Sequence, residues 1–350
     1  MLRIGIIGLG YWGPNFIRTF SDLANSEITA ICDVNNERLQ QVRTKLPNVF
    51  TTNNIDEMLN RDLVDAVIIV TPTKTHFSIA KQSLEAGLHV FVEKPMATTG
   101  TDCRELIEIA ETNDLILFVG HLFLHNAAVK KLKQLVVNDD FGNICYLISQ
   151  RLNLGPIRQD VNALWDLAPH DISIMLDIIG KTPVAVNCQG LAYLTQNVHD
   201  VCTLTMHFEP KCMAIINVSW LNPNKTRLLT VVGEKKMAVY DDMEPLEKIK
   251  IYNKRVETIP YSDSYGEYQT SFQYGDTISP YLHQVEPLRV ECQHFIDCIE
   301  NHVSPKTDGL NGLKVVKVLE AADTSLRNDG RLVRLSKDDH INVENKLTVA

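Results

Sequence analysis

No apolar run in the 350-residue sequence approaches the length needed to cross a bilayer, which argues against an integral membrane protein. Basic residues are in the minority: 34 Lys and Arg face 43 Asp and Glu, a formal net charge of -9. Such a chain gains little from counterion release on a polyphosphate, so nucleic acids and anionic membranes are not expected as partners, while a small anionic ligand in a local basic pocket stays open. The eight cysteines (Cys32, Cys103, Cys145, Cys188, Cys202, Cys212, Cys292 and Cys298) contain no C-x-x-C pair and no histidine at zinc-ligand spacing. They read as reduced, mostly buried thiols, and no metal is expected. Internal repeats and low-complexity stretches are missing too. The opening Met1-Leu2-Arg3-Ile4-Gly5 lacks the zones of a secretory signal, and a cytoplasmic protein is the expectation.

What is present is the composition of an ordinary globular protein, 45% hydrophobic and 22% charged, with enough length for two cores. Over the first 120 residues short apolar runs alternate with amphipathic segments. Strands are predicted at 3–7, 27–33, 49–51, 65–70, 89–93 and 115–120, and helices at 12–24, 35–45, 55–60, 74–86 and 99–113. That rhythm predicts an α/β Rossmann domain with a doubly wound parallel sheet over residues 1–122. Beyond it, β-rich runs at 144–152, 184–191, 201–208, 213–221, 228–232 and 237–240 follow one another with few helices, at 126–137, 165–179, 291–301 and 311–328. This predicts a C-terminal α+β domain on a large, mainly antiparallel sheet over 123–336, with a long polar loop at 261–281 and a peripheral polar tail at 337–350.

Gly8-Leu9-Gly10-Tyr11-Trp12-Gly13 stands directly after the first predicted strand and opens the first helix, the context in which G-x-G-x-x-G binds a dinucleotide. Gly8 allows the tight turn, Gly10 lets a pyrophosphate approach the backbone, and Gly13 lets the helix pack on the strand. Tyr11 and Trp12 belong to the same cofactor-binding turn. Asp33 ends the second strand about 20 residues on, where a carboxylate accepts hydrogen bonds from ribose hydroxyls and repels a 2′-phosphate. NAD is therefore expected over NADP, an expectation that Arg38 would weaken by turning toward the ribose. Thr71, Pro72, Thr73 and His76 follow the fourth strand at the ligand edge of the sheet. They either contact the cofactor or form a turn and helix cap. Glu93-Lys94-Pro95 ends the fifth strand, and Pro95 restricts the backbone at Lys94. Its ammonium either stabilises negative charge developing on a substrate oxygen or is a surface lysine at a strand end.

The glycine fingerprint, Glu93-Lys94-Pro95 and Asp166-Leu167-Ala168-Pro169-His170-Asp171 together resemble the Gfo/Idh/MocA family of NAD(P)-dependent sugar oxidoreductases, along nearly the whole chain. The resemblance implies that Lys94 is a catalytic-site residue touching substrate and cofactor, with Glu93 a further cofactor contact, and that Asp166 and His170 face the reacting carbon. Ala168 stands where the family's D-x-G-x-H pattern has glycine. A spacing of four places Asp166 and His170 one helical turn apart on one face. Pro169 then belongs in the first turn or bends the helix. His170 is accordingly expected near a helix start, where the dipole disfavours imidazolium and leaves a neutral base. In the mechanism this implies, His170 removes a hydroxyl proton, Lys94 polarises the same oxygen, and Asp166 orients the histidine or binds an adjacent hydroxyl.

Arg151 and Asn153 follow the first long strand of the second domain and are candidate contacts to phosphate or acyl oxygens, or alternatively sheet-face residues. Trp165 and Trp220, with His121 and Phe123, offer apolar or stacking surface, or are core. This stretch resembles the branch of the family that acts on UDP-N-acetylhexosamines or their uronic acids, often at C3, so a nucleotide sugar is the implied substrate and His121, Arg151, Asn153, Trp165, Asp166, His170 and Lys94 its expected contacts. Free polyols, inositols or deoxy-ketosugars are the second enzymatic reading, and a nucleotide-sensing protein on the same scaffold the non-enzymatic one. An open antiparallel sheet needs a cover, and a homodimer or homotetramer is expected.

Overall fold

The computed structural model describes residues 1–60, 62–158, 161–258 and 270–335. The chain parts into two compact units, one of 1–126 with 285–320 and one of 127–284 with the residues after 320.

The first unit begins with β1 (Leu2–Ile7), α1 (Gly13–Ser21), β2 (Ser26–Cys32), α2 (Asn36–Lys45), β3 (Phe50–Thr52), α3 (Ile55–Met58), β4 (Ala66–Ile69), α4 (His76–Glu85), β5 (His89–Glu93), α5 (Gly100–Thr112) and β6 (Leu117–Gly120). All pairings in its sheet are parallel, in the order β3-β2-β1-β4-β5-β6. The strand order reverses between β1 and β4, so the turns after these strands flank the crevice where open α/β sheets bind ligands. Near-continuous apolar burial in β4 (Ala66, Val67, Ile68, Ile69) is what a strand covered on both faces requires.

The second unit is built on α6 (Ala127–Val136), β7 (Ile144–Leu152), α7 (Ala163–Ile179), β8 (Ala185–Leu191), β9 (Val201–Phe208), β10 (Cys212–Ser219), β11 (Thr226–Gly233), β12 (Met237–Asp241), β13 (Ile249–Thr258) and β14 (Thr270–Ile278). After α8 (Pro287–Asn301) and α9 (Gly309–Arg327), β15 (Val333–Arg334) completes the sheet, in the order β14-β13-β12-β11-β7-β10-β9-β8-β15. The sheet is antiparallel except at β7–β10, which run parallel with Ser219 opposite Leu152. Alternation along β9 turns Cys202, Leu204, Met206 and Phe208 inward, and α7, buried over most of its length, lies against β7, β9 and β10.

Three expectations change. The predicted 261–281 loop contains β14 from Thr270 onward, which pairs with β13, a strand not anticipated either; β14 is the sheet edge, where described residues such as Phe272 and Tyr274 are exposed and leave no burial pattern to read. The rest of that loop, like the 337–350 tail, lies outside the described residues. Finally, 285–320 belongs to the first unit rather than to a domain continuous from 123. Leu288, Cys292, Phe295, Ile296 and Ile299 of α8 join the core of Ile4, Phe16, Phe20 and Phe91, with the Phe295 ring 5.7 Å from Phe91 and 5.5 Å from Phe118. All eight cysteines are free thiols, six of them buried. Among the described residues no helix is long and apolar enough to cross a membrane.

Candidate active site

The glycine turn after β1 has the shape its sequence implies. Gly8 has φ of +105°, and a Cβ there would stand 2.8 Å from the Val70 carbonyl oxygen. A Cβ on Gly13 would meet the Gly8 oxygen at 2.4 Å, whereas one on Gly10 would meet nothing within 4 Å. The first and third glycines thus serve packing, and the second leaves the open approach that a pyrophosphate needs. No side chain caps the start of α1, so its leading N–H groups are not claimed by a capping residue. Tyr11 and Trp12 flank the turn with exposed rings.

Asp33 is buried, and its carboxylate does more than wait for a ribose. Oδ2 accepts from the Leu9 N–H and Oδ1 accepts from Asn35 N at 2.7 Å, so the acid fixes the glycine turn while each oxygen keeps a lone pair for a hydroxyl. Arg38 does turn toward it, with Nη1 3.9 Å from Oδ2. Taken together, the open Gly10, the uncapped helix and the carboxylate at the end of β2 fit a dinucleotide.

Thr71 Oγ1 accepts from Thr75 Oγ1 at 2.8 Å, Pro72 is exposed, and Thr73 is buried at the start of a short 3-10 turn. His76 faces inward, contrary to its expected place against the cofactor. Its ring is 1% exposed, with Nδ1 2.8 Å from the Pro95 oxygen and Nε2 2.9 Å from the Thr71 oxygen. It therefore ties the loop after β4 to the loop that carries Lys94.

Around Lys94 the interior is polar and desolvated. Glu93 Oε2 accepts from Lys94 N at 3.1 Å. Burial pushes the Glu93 carboxyl up to about 7, against the lowering effect of Lys94. His121 is 1% exposed, neither ring nitrogen has a hydrogen-bond partner among the described residues, and burial together with the Lys94 charge drives its pKa down to about 3. The imidazole is neutral. Glu291 of α8 is fully buried with both oxygens unpartnered among the described residues; burial, and then repulsion from Glu93, hold its pKa well above the free value of 4.5. Nothing in the sequence marks Glu291, which reads as one more charge on an amphipathic helix.

These raised carboxyls imply a pH dependence. The folded state binds protons that the unfolded state has already lost above 4.5, so stability contributed by protonated Glu93 and Glu291 is full below that pH and declines as pH rises toward 7 and beyond. Glu291→Gln is expected to gain stability relative to the parent between pH 5 and 8, each unit of raised pKa being worth about 1.4 kcal/mol. Urea unfolding at the two pH values checks this, and a constant difference between the proteins would count against it.

In the second unit α7 starts at Ala163, capped by Asn162 Oδ1 accepting from Trp165 N at 3.0 Å. Asp166 and His170 lie one turn apart on this helix, as their spacing predicts. The expected place of His170 near the helix start is corrected: it stands well inside α7, after an interior Pro169, where the N-terminal dipole no longer governs its charge. Asp166 is gripped at both oxygens, Oδ1 by Arg158 Nη1 and Oδ2 by Trp220 Nε1, each at 3.1 Å. Arg158 escaped notice because its loop has no periodicity. Trp220 is core, 2% exposed, rather than a stacking surface.

Arg151 is also reassigned. Its Nε lies 2.6 Å from Asp171 Oδ2 in a pair about 5% exposed, so it braces α7 against β7 instead of awaiting a phosphate. Asp171→Asn, which removes the anion from this buried pair, is expected to lower stability by about 3–5 kcal/mol in urea unfolding, while replacing both partners by apolar residues recovers much of the loss. Asn153 is fixed through its backbone, N–H to the Ser219 oxygen at 3.0 Å, and it and Trp165 are half-buried.

Comparison with known proteins adds the following. Residues 2–121 match the oxidoreductase family model with an NAD-binding Rossmann fold, and 129–239 match the GFO/IDH/MocA C-terminal domain. The chain is 28% identical over 316 residues to UDP-N-acetylglucosamine 3-dehydrogenase of Acidithiobacillus ferrooxidans, covering 90% of this chain and 94% of that one. A solved structure of that enzyme superposes with a TM-score of 0.79 at 26% identity, over 94% and 98% of the two chains. Myo-inositol 2-dehydrogenase of Thermotoga maritima is 26% identical over 353 residues, 96% of this chain and 99% of its own. The fold is shared with the WlbA dehydrogenase of Bordetella pertussis, solved with NADH and UDP-GlcNAcA, at a TM-score of 0.77 and 22% identity over 96% and 99% of the chains.

Proposed function

The chain belongs to the Gfo/Idh/MocA family of NAD-binding oxidoreductases, and from that premise we propose that it oxidises the C3 hydroxyl of a UDP-N-acetylhexosamine or of the corresponding uronic acid. That it is an NAD-binding oxidoreductase of CH–OH groups follows from the family itself. The observation that carries the narrower substrate is the likeness to UDP-N-acetylglucosamine 3-dehydrogenase across nearly the full length of both chains.

NAD, when bound at the 8–13 turn, supplies the hydride acceptor. The chain's own part is to move a proton and to carry charge. In this reading His170 takes the proton of the sugar hydroxyl and returns it in the reverse direction. Lys94 stabilises the negative charge that develops on the same oxygen. Asp166, one turn before His170 and gripped by Arg158 and Trp220, orients the imidazole or accepts from a neighbouring hydroxyl. Neutral His121, with Asn153 and Trp165, supplies further substrate contacts; Arg151, committed to Asp171, does not.

Purified protein with NAD and a panel containing UDP-N-acetylglucosamine, its uronic acid and myo-inositol tests the substrate class by the absorbance of the reduced ring near ~340 nm. Turnover of the nucleotide sugars is expected. Turnover of myo-inositol alone would instead establish the polyol reading, which the Thermotoga maritima relative and the engagement of Arg151 favour.

The proposal extends to assembly and location. On the outer face of the second sheet Tyr146 stands opposite Met213, 41% and 38% exposed, with Ile148 opposite Ile215 beside them. A second copy covering this apolar face gives a homodimer or homotetramer, read by light scattering. Free thiols throughout suit a reducing cytoplasm.

A further inference from the structure

We propose that Trp220 is a positioning residue of the reaction: its indole N–H, presented at the end of β10, holds Asp166 in place on α7 and so fixes the helix face that carries His170. The inference rests on the roles given above to Asp166 and His170.

Four observations lead to it. Trp220 is among the largest enclosed side chains, and an indole N–H is a donor only, costly to bury without an acceptor. Its acceptor is the Asp166 carboxylate, with Nε1 3.1 Å from Oδ2. The main chain at 220 is fastened on both sides, its N–H donating to the Asp200 oxygen at 3.0 Å and its carbonyl accepting from Gly155 N at 3.3 Å, so the donor is aimed with little slack. Arg158, a further partner of Asp166, comes from a loop and is a third exposed, so the indole is the more rigid of these two donors.

The need for such a hold is set by Pro169. Lacking an N–H, it cannot close the backbone hydrogen bond to Trp165, and the turn with Asp166 is tied to the turn with His170 by one bond fewer than in a regular helix. Outside contacts compensate, and two of them come from the parallel pair of strands. Trp220 follows β10 and grips Asp166; Arg151 lies near the end of β7 and grips Asp171. Only parallel neighbours bring two strand C-termini to one edge, and in the second sheet that pairing is β7 with β10. The two carboxylates bracket His170, and the indole serves the one on its own helix face.

Trp220→Phe keeps an aromatic ring in the core and deletes the N–H. With UDP-N-acetylglucosamine and NAD, kcat is expected to fall roughly 10- to 100-fold, the range for a lost hydrogen bond to a charged group, while KM for NAD stays within about twofold. Asp166→Ala, which deletes the acceptor of the indole N–H, is expected to be slow as well, and adding Trp220→Phe to it should cost nothing more. A parental kcat in Trp220→Phe, or the same fold-loss in the Asp166→Ala background, would overturn the positioning role. A parental kcat in Asp166→Ala would overturn the role of Asp166 itself, and this inference with it. If Trp220→Phe does not fold, site-specific replacement of Trp220 by 3-benzothienylalanine, a bicyclic isostere without the N–H, must give the same loss and the same non-additivity; a parental rate there overturns the inference.

Discussion

Lys94→Ala is expected to lower kcat for UDP-N-acetylglucosamine by about 10²–10³-fold, the usual cost of removing a group aimed at developing oxyanion charge, with NAD affinity little changed. Lys94 directly follows β5, and Pro95 behind it is anchored through its carbonyl to the buried His76 ring, so the backbone that aims the ammonium is fixed. The neighbouring interior raises the electrostatic stakes. His121 is neutral, with its pKa lowered to about 3 by burial and by Lys94, and Glu93 titrates at about 7. A charge held among desolvated groups acts through a lower effective dielectric than one in water, and its loss is correspondingly expensive. Lys94→Arg is expected to restore little, because a planar guanidinium places its donors differently from a compact ammonium. Steady-state kinetics with fluorescence titration of NAD separates the two effects; a kcat within about threefold of the parent would remove Lys94 from the chemistry.

The features that the sequence disclosed are those written in short-range patterns. Six strands of the first sheet follow from apolar runs bounded by turns, and the glycine fingerprint follows because the steric demands at Gly8 and Gly13 come from residues a few positions away or from the adjoining strand. The same-face placement of Asp166 and His170 needs no more than helical periodicity. What escaped depends on partners distant in the chain. Whether α8 serves the first core or the second cannot be read from its amphipathic pattern, because Phe295 would pack equally well against any apolar wall; its ring contacts to Phe91 and Phe118 decide it.

The same limit explains the reassigned site residues. An arginine near the end of a strand looks like a phosphate ligand until the packing of α7 on β7 brings Asp171 to 2.6 Å. His76 sits where cofactor ligands gather, yet the backbone oxygens of Thr71 and Pro95 claim its ring, and backbone acceptors leave no trace in side-chain identity. Trp220 and Arg158 matter through one carboxylate that lies 54 and 8 residues away. Edge strand β14 was hidden for another reason: with one side of the sheet ending there, exposed Phe272, Tyr274 and Ile278 resemble loop residues more than a half-buried strand.

His170→Ala is the companion test to Lys94→Ala and distinguishes chemistry from scaffold. Loss of a general base costs about 10²–10⁴-fold in kcat, and since His170 lies in the second unit while the glycine turn, Asp33 and the uncapped start of α1 lie in the first, NAD binding is expected to persist. The helix dipole does not prepare this histidine, because it stands deep in α7; what the structure offers it is Asp166 one turn earlier on the same face. The missing ring in His170→Ala leaves the Asp166 clamp and the Arg151–Asp171 pair in place, so the fold should be retained and melting should move far less than in Asp171→Asn. Added imidazole then supplies the diagnostic. If the ring carries the proton, free imidazole restores part of the lost rate in a concentration-dependent way, because a mobile base can replace a tethered one at a large entropic disadvantage. If the ring merely packs, imidazole does nothing, and the proton must leave the substrate by another route.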